Sequence, residues 1–180
     1  MPRSPAQRHT ASDAAEPPPN LGEVLSFMRL LWAVDHELRS ASKRLLGVAG
    51  VTGPQRLVVR MVGRFPDASA GALAELLHVH PSTLTGVLDR LVRGGLILRR
   101  EDPDDGRRAL FRLTEKGTVV NAMRAGTVEE AVRTTLARMP QPKVAAAREL
   151  LQELCSAMES QQQVSEVRVR RPRPKRRAAR

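Results

Sequence analysis

Residues 98–114, LRREDPDDGRRALFRLT, decide how this chain reads. Leu96-Ile97-Leu98 on one side and Ala109-Leu110-Phe111-Arg112-Leu113 on the other carry strand-forming side chains, and Asp102-Pro103-Asp104-Asp105-Gly106 supplies turn formers between them. The pattern predicts a β-hairpin with arginines at its tip. Arg99, Arg100, Arg107, Arg108 and Arg112 fall within 14 residues, and such a cluster on a projecting hairpin suits a nucleic-acid wing. Asp105 and Arg107 lie two apart, so an extended arm would put both on one side and let the carboxylate orient the guanidinium. An arginine held in that way fits a narrow minor groove.

Upstream lies the pattern of a helix-turn-helix. Thr52-Gly53-Pro54 starts a helix with Leu57, Val58, Met61 and Val62 on its inner face, and Phe65-Pro66 ends it. Ser69 caps the next helix, whose apolar positions are Leu73, Leu76 and Leu77. After the turn His78-Val79-His80, Pro81 fits the first helical position because it has no N–H to leave unpaired. Leu84, Val87, Leu88 and Leu91 then form an inward stripe at helical spacing. The outward face carries Ser82, Thr83, Thr85 and Gly86, followed by Asp89, Arg90 and Arg93, and its small hydroxyl residues suit a major groove. Gly94-Gly95 releases the chain into the hairpin.

The flanks read as helices with unclaimed apolar stripes. Asn20 is the expected cap of a long first helix through Leu21, Val24, Leu25, Met28, Leu31, Trp32, Leu38, Leu45 and Leu46, ending near Gly47 to Gly50. Thr114 with Glu115 starts another helix, expected to run unbroken over 115–138 until Pro140 and Pro142 stop it. A last helix over about 142–160 carries Val144, Leu150, Leu151, Leu154 and Met158. These faces need a partner, and a second copy of the chain is the simplest one.

Composition agrees with a mainly α fold carrying a small β-hairpin wing, a winged helix-turn-helix with N- and C-terminal dimerisation helices. Aromatic residues are only 2% of the 180, so Leu, Val, Ala and Met must build the core. The expected division is a disordered segment at 1–19, a first dimerisation helix at 20–50, the winged unit at 51–114, C-terminal dimerisation helices at 115–163 and a disordered basic tail at 164–180. The formal charge is +11, yet eight basic residues fall in 168–180, which leaves +3 for the rest. DNA binding by the folded part must therefore be argued from where its arginines lie. A single cysteine, Cys155, excludes an intrachain disulfide, and neither an export signal nor a membrane-spanning run is read from the sequence. The expectation is a cytoplasmic, nucleoid-associated protein.

Two blocks resemble the MarR-type winged helix-turn-helix transcriptional regulators, over about residues 21–160. Asp105-Gly106-Arg107 followed by Leu113-Thr114-Glu115-Lys116-Gly117 is similar to that family's D-x-R…L-T-x-x-G wing signature. Leu73-Ala74-Glu75-Leu76-Leu77, Pro81-Ser82-Thr83-Leu84-Thr85, Leu88-Asp89-Arg90-Leu91 and Gly95-Leu96-Ile97 resemble its helix-turn-helix. The resemblance implies a homodimer on double-stranded DNA, its two recognition helices in successive major grooves of a pseudo-palindromic operator. It implies a repressor released by a small aromatic or anionic effector, with no catalytic residues and no cofactor. Ser82, Thr83, Thr85, Gly86 and Arg90 would face the major groove, and Arg99, Asp105, Arg107 and Arg108 would form the wing contact. Gly86 departs from the larger polar or basic residue of many relatives, which shifts weight from base readout to the wing and to DNA shape.

Each signal has a plainer reading. The wing could be an ordinary exposed hairpin, and Ser82, Thr83 and Thr85 could be capping and solvated residues. His78 and His80 form an H-x-H pair, but no second ligand cluster lies beside it, so a turn histidine and a cap or phosphate-facing histidine are favoured over a metal site. His36, near Trp32, could line an effector pocket or equally a subunit interface. Cys155, within an apolar stripe, reads as a buried structural thiol rather than a redox switch. Arg168, Arg170, Arg171, Arg173, Lys175, Arg176 and Arg177 form either a solubility tail or, as favoured here, an auxiliary arm adding sequence-independent affinity. A non-specific DNA-architectural protein is the alternative to a sequence-specific regulator.

Overall fold

A computed structural model describes the backbone of residues 21–170 and the side-chain surroundings of residues 21–161. At its centre, three helices pack against a small sheet. α2 (Gly53–Arg64) starts at a reciprocal cap, in which Thr52 Oγ1 accepts the Gln55 N–H and Gln55 Oε1 accepts the Thr52 N–H at 2.8 Å. α3 (Ala70–Leu77) starts at Ser69, whose hydroxyl accepts the Ala72 N–H, and α4 (Pro81–Arg93) follows His80. Val58, Val59, Val62, Leu73, Leu84, Leu88 and Leu91 from these helices are all buried, each worth about 1.5–3 kcal/mol. The inner face of α2 is turned slightly from the expected one: Val59 is buried, whereas Leu57 is 48% exposed. Arg56 is buried with Val59.

The wing belongs to a three-stranded antiparallel sheet rather than a bare hairpin. β2 (Ile97–Glu101) and β3 (Ala109–Leu113) pair from Ile97↔Leu113 to Glu101↔Ala109, and β1 (Ala68–Ser69) adds to the outer edge of β3, giving the order β1-β3-β2. Two residues are too few for an alternating pattern, so β1 left no mark in the sequence. Asp67 sets it up with a left-handed backbone (φ 62°) and an N–H donated to Phe111 O at 2.9 Å. At the sheet's other end Thr114 caps α5 (Glu115–Ala122) by accepting the Gly117 N–H, and its hydroxyl donates to Gly95 O at 2.7 Å. Gly117 lies so close to the strand that an added Cβ would stand 1.9 Å from Leu96 O.

The helix expected over 115–138 is broken. α5 ends at Ala122 and α6 (Val128–Ala137) starts at Thr127, whose hydroxyl accepts the Glu130 N–H, after Gly126 turns the chain at φ 69°. The local Gly126-Thr127-x-x-Glu130 pattern is a helix start embedded in an otherwise helical run. Arg56, 3% exposed, fills the corner. It donates to the α5-terminal carbonyls of Val120 and Met123, the latter at 2.6 Å, and pairs with Glu129 in the first turn of α6 at 3.0 Å. Burial pushes the Glu129 carboxyl up, but its own backbone N–H, the Arg56 guanidinium and the Thr127 hydroxyl outweigh that and hold it below its ordinary value.

α1 (Gly22–Ala49) and α7 (Gln141–Arg170) flank this centre. No residue of α1 is buried, and none between 141 and 161 is. Leu21 occupies the cap position of α1 without a side-chain bond, while the expected cap Asn20 and the segment 1–19 lie outside the described residues. Cys155 is exposed, not buried, on a helix of which no described residue is buried within one chain. α7 also runs to Arg170, past the boundary expected for an extended tail, since no proline intervenes between Pro142 and Pro172. The side chains of Arg168 and Arg170, and all of Arg171, Arg173, Lys175, Arg176 and Arg177, lie outside the described residues.

Candidate nucleic-acid interface

α4 presents its first turns to solvent. His80 stands at its cap, with Nδ1 accepting the Ser82 N–H at 3.3 Å and lying 2.7 Å from Ser82 Oγ. This is the capping role favoured above for the histidine, and no group of three or more His, Cys, Asp or Glu among the described residues could hold a metal ion. Ser82, Thr83 and Thr85 are all exposed. Thr85 donates its hydroxyl to Pro81 O at 2.9 Å, which leaves its lone pairs as acceptors facing outward. No acidic residue occupies the first turn, so the positive end of the helix is available to an anion such as phosphate.

Gly86 leaves a gap in this face. A Cβ built there would meet nothing nearer than Arg90 Nη2 at 3.8 Å. Arg90 instead turns back on its own helix, donating Nε–H to Gly86 O at 2.9 Å. Its guanidinium therefore lies over the position where a larger residue 86 would project, and an arginine in that place can be redirected to a base or a phosphate at the cost of one exposed bond.

The wing's arginines divide into two sets, which the sequence did not separate. Arg100 and Arg112 converge on Asp67, Arg100 at 2.8 Å, and form a brace between the wing and the β1 edge. The Arg112 hydrogen bond leads the causes that hold the Asp67 carboxyl below its ordinary value, against a smaller upward push from burial and with help from both arginine charges. Asp67 was not singled out from sequence, and its only local signal is its place after Pro66. Arg99, Arg107 and Arg108 form the second set, exposed around the loop. Arg108 keeps only a loose 3.8 Å approach to Asp102.

Asp105 works differently from expectation. Its Oδ1 accepts the backbone N–H of Arg107 at 3.0 Å, while Asp105 O accepts the Arg108 N–H at 2.8 Å. It lies in the turn, not in an extended arm, so its carboxylate shapes the loop backbone instead of steering the Arg107 guanidinium. Asp102 does the same one step earlier, accepting the Asp104 N–H. The outcome for Arg107 is a side chain fixed at its base and unpaired with Asp105.

Trp32 and His36 stack on each other with ring centroids 5.9 Å apart, but both are exposed. They sit on the opposite side of α1 from an apolar cavity of about 290 Å³ between α1, α2 and the start of α6. Leu38, Leu45, Pro54 and Leu57 make most of its wall, and Arg56, Thr127 and Glu129 its polar edge. A wider groove of about 560 Å³ continues from it along α1, sharing Leu38, Ala41 and Val128. The small residues Ala41, Ser42 and Gly53 leave the room for the cavity.

Comparison with known proteins follows the same architecture. Residues 51–109 match the model of the MarR family. The organic hydroperoxide resistance transcriptional regulator of Bacillus subtilis is 32% identical over 91 residues, 51% of this chain and 62% of that protein. An HTH-type transcriptional repressor of Mycobacterium tuberculosis is 28% identical over 127 residues, covering 71% and 91% of the two chains. Among solved structures, the PcaV transcriptional regulator of Streptomyces coelicolor, in complex with its natural ligand, aligns with a TM-score of 0.54 at 26% identity, covering 69% of this chain and 91% of that one. The exposed recognition face, the arginine-bearing wing and these matches agree, and residues 51–109 carry the likeness to the MarR family.

Proposed function

We propose that this protein is a homodimeric transcriptional repressor that binds a pseudo-palindromic operator and is released by a small molecule. In this reading residues 51–114 form the DNA-binding unit, and the helices of 20–50 and 115–163 hold two copies together. The observation that carries it is the pairing of an acid-free, hydroxyl-bearing first turn on α4 with a wing whose Arg99, Arg107 and Arg108 are exposed. Ser82, Thr83, Thr85 and Arg90 would face the major groove, with Gly86 allowing close approach, and Arg107 would enter the minor groove. Asp105 contributes by folding the loop that presents Arg107. Work on chromosomal DNA in the cytoplasm is part of the same proposal.

Two observations support the dimer and the effector. Apolar residues such as Val24 (71% exposed) and Leu151 (51%) are more than a stable monomer would leave along two whole helices. The cavity at the junction of α1, α2 and α6 sits where an occupant would alter how the DNA-binding unit is held against those helices, so binding there would shift the population of DNA-competent dimers. The relatives are regulators, and nothing in the geometry favours the architectural alternative over them.

Gel-shift titration on the gene's own upstream region, with an excess of random duplex, tests the proposal. A complex that persists under competition supports it, and one that vanishes at competitor levels tolerated by a true operator complex sinks it. Removing 164–180 should weaken binding to every duplex and flatten its salt dependence without altering site preference.

A further inference from the structure

We infer that the cavity between α1, α2 and α6 selects a neutral single-ring ligand and rejects its carboxylate counterpart. This rests on the effector reading above and adds the ligand's charge. Size sets the first limit, since about 290 Å³ comfortably exceeds the roughly 150 Å³ in which benzene binds a protein interior. The walls are Leu38, Ala41, Leu45, Pro54, Leu57 and Val128, which reward apolar surface.

Charge sets the second limit, and Arg56 decides it. It is the one cation on the wall of the cavity itself, Arg44 and Glu37 lying together along the wider groove that continues from it, and a guanidinium at such a place would ordinarily signal an anion site. Here it is already spent. Its Nε pairs with Glu129 at 3.0 Å, and its two terminal nitrogens donate to Val120 O and Met123 O. A carboxylate ligand would have to compete with a covalently tethered carboxylate for a 3% exposed group, and would also face the Glu129 charge on the same wall. Like charges in a partly desolvated site disfavour each other strongly. Arg60 does not help, because it donates to both Asn121 O and Asn121 Oδ1 and approaches Glu129 at 3.9 Å. A neutral ligand meets none of these penalties, and a hydroxyl on it could reach the polar edge formed by Ser42, Thr127 and Glu129.

Isothermal titration of the full chain with benzyl alcohol and with benzoate, matched in size, reads this out. Benzyl alcohol should bind at least about tenfold more tightly than benzoate, and Glu129→Gln should shrink or invert that ratio by freeing Arg56 for an anion. Leu57→Trp, on a half-exposed side chain, should fill the cavity and abolish benzyl alcohol binding while circular dichroism stays unchanged, which keeps the test decisive even where Glu129→Gln fails to fold. Benzoate binding as tightly as benzyl alcohol in the unmodified protein overturns the inference, as does the absence of binding by either. Operator gel shifts without any probe distinguish that failure from failure of the repressor reading, which would show as loss of the operator complex itself.

Discussion

The centre and the flanks of this chain answer to different requirements. In the centre, α2, α3, α4 and the sheet bury a shared set of Val and Leu side chains, and each of these helices begins at a side-chain cap. The flanking helices α1 and α7 are longer, carry as many apolar residues and bury none among those described. The difference teaches that apolar content does not make a core; spacing relative to a second surface does, and in the proposed dimer the second copy supplies that surface to the flanks. Arg56 stands at the border, pinning the centre to the start of α6.

Arg56→Met attacks that border and should have the largest effect. It strands the partly buried Glu129 carboxylate and two helix-end carbonyls, and each buried group left unpaired costs about 1–3 kcal/mol. Urea unfolding followed by circular dichroism measures it, and a loss under about 1 kcal/mol would mean the pin carries no load. Leu151→Glu should leave the centre folded and weaken self-association by about 2–4 kcal/mol, if the residue is central to the subunit contact. Sedimentation equilibrium reports the change, and an undisturbed dimer would move the interface away from α7. Gly117→Ala tests the centre alone. Its new Cβ cannot coexist with Leu96 O at 1.9 Å, so strand and helix must separate at a cost of about 1–3 kcal/mol. Arg107→Ala should leave stability untouched and cost about 1–3 kcal/mol of operator affinity; unchanged affinity in a gel shift would take the wing tip out of DNA recognition.

What the sequence disclosed follows the same border. Thr52, Ser69, Thr114 and the Gly94-Gly95 stop were legible because a cap or a turn is a local event, decided by residues within four positions of each other. The inward stripe of α4 was legible because its partners were apolar on every side. β1, the Arg56 corner and the Asp67 brace were not, since each depends on residues 33 to 73 positions apart. Nothing about an arginine in a helical run announces that it will be buried. The break before Thr127 has a local signal in Gly126-Thr127, masked by the apolar rhythm that Val119, Val120 and Val128 keep across it. Within the candidate site, the wing arginines were found as a cluster, but their division into bracing and free sets needed the fold.

The brace offers the smallest and most discriminating test. Asp67 sits at a left-handed φ of 62°, a conformation asparagine also accepts, so Asp67→Asn removes the charge without straining the backbone. The folded carboxyl titrates below its ordinary value because Arg112 and Arg100 favour the ionised form. A lowered folded value means stability that is present above the unfolded carboxyl's titration, about pH 4, and lost as pH falls through the folded one. Asp67→Asn should therefore be less stable than the unmodified protein at pH 7, and the gap should close as pH is lowered below about 4. Thermal melts at pH 7 and pH 3 measure it. The pair is largely exposed, so the effect at pH 7 should stay below that of Gly117→Ala and shrink further in high salt. Released from Asp67, Arg100 and Arg112 would join Arg107 at the DNA surface, and the variant's affinity for random duplex should rise while its operator preference narrows. A gap that persists unchanged at pH 3 would show that the loss does not come from the Asp67 charge, since the backbone bond to Phe111 is the same in both proteins.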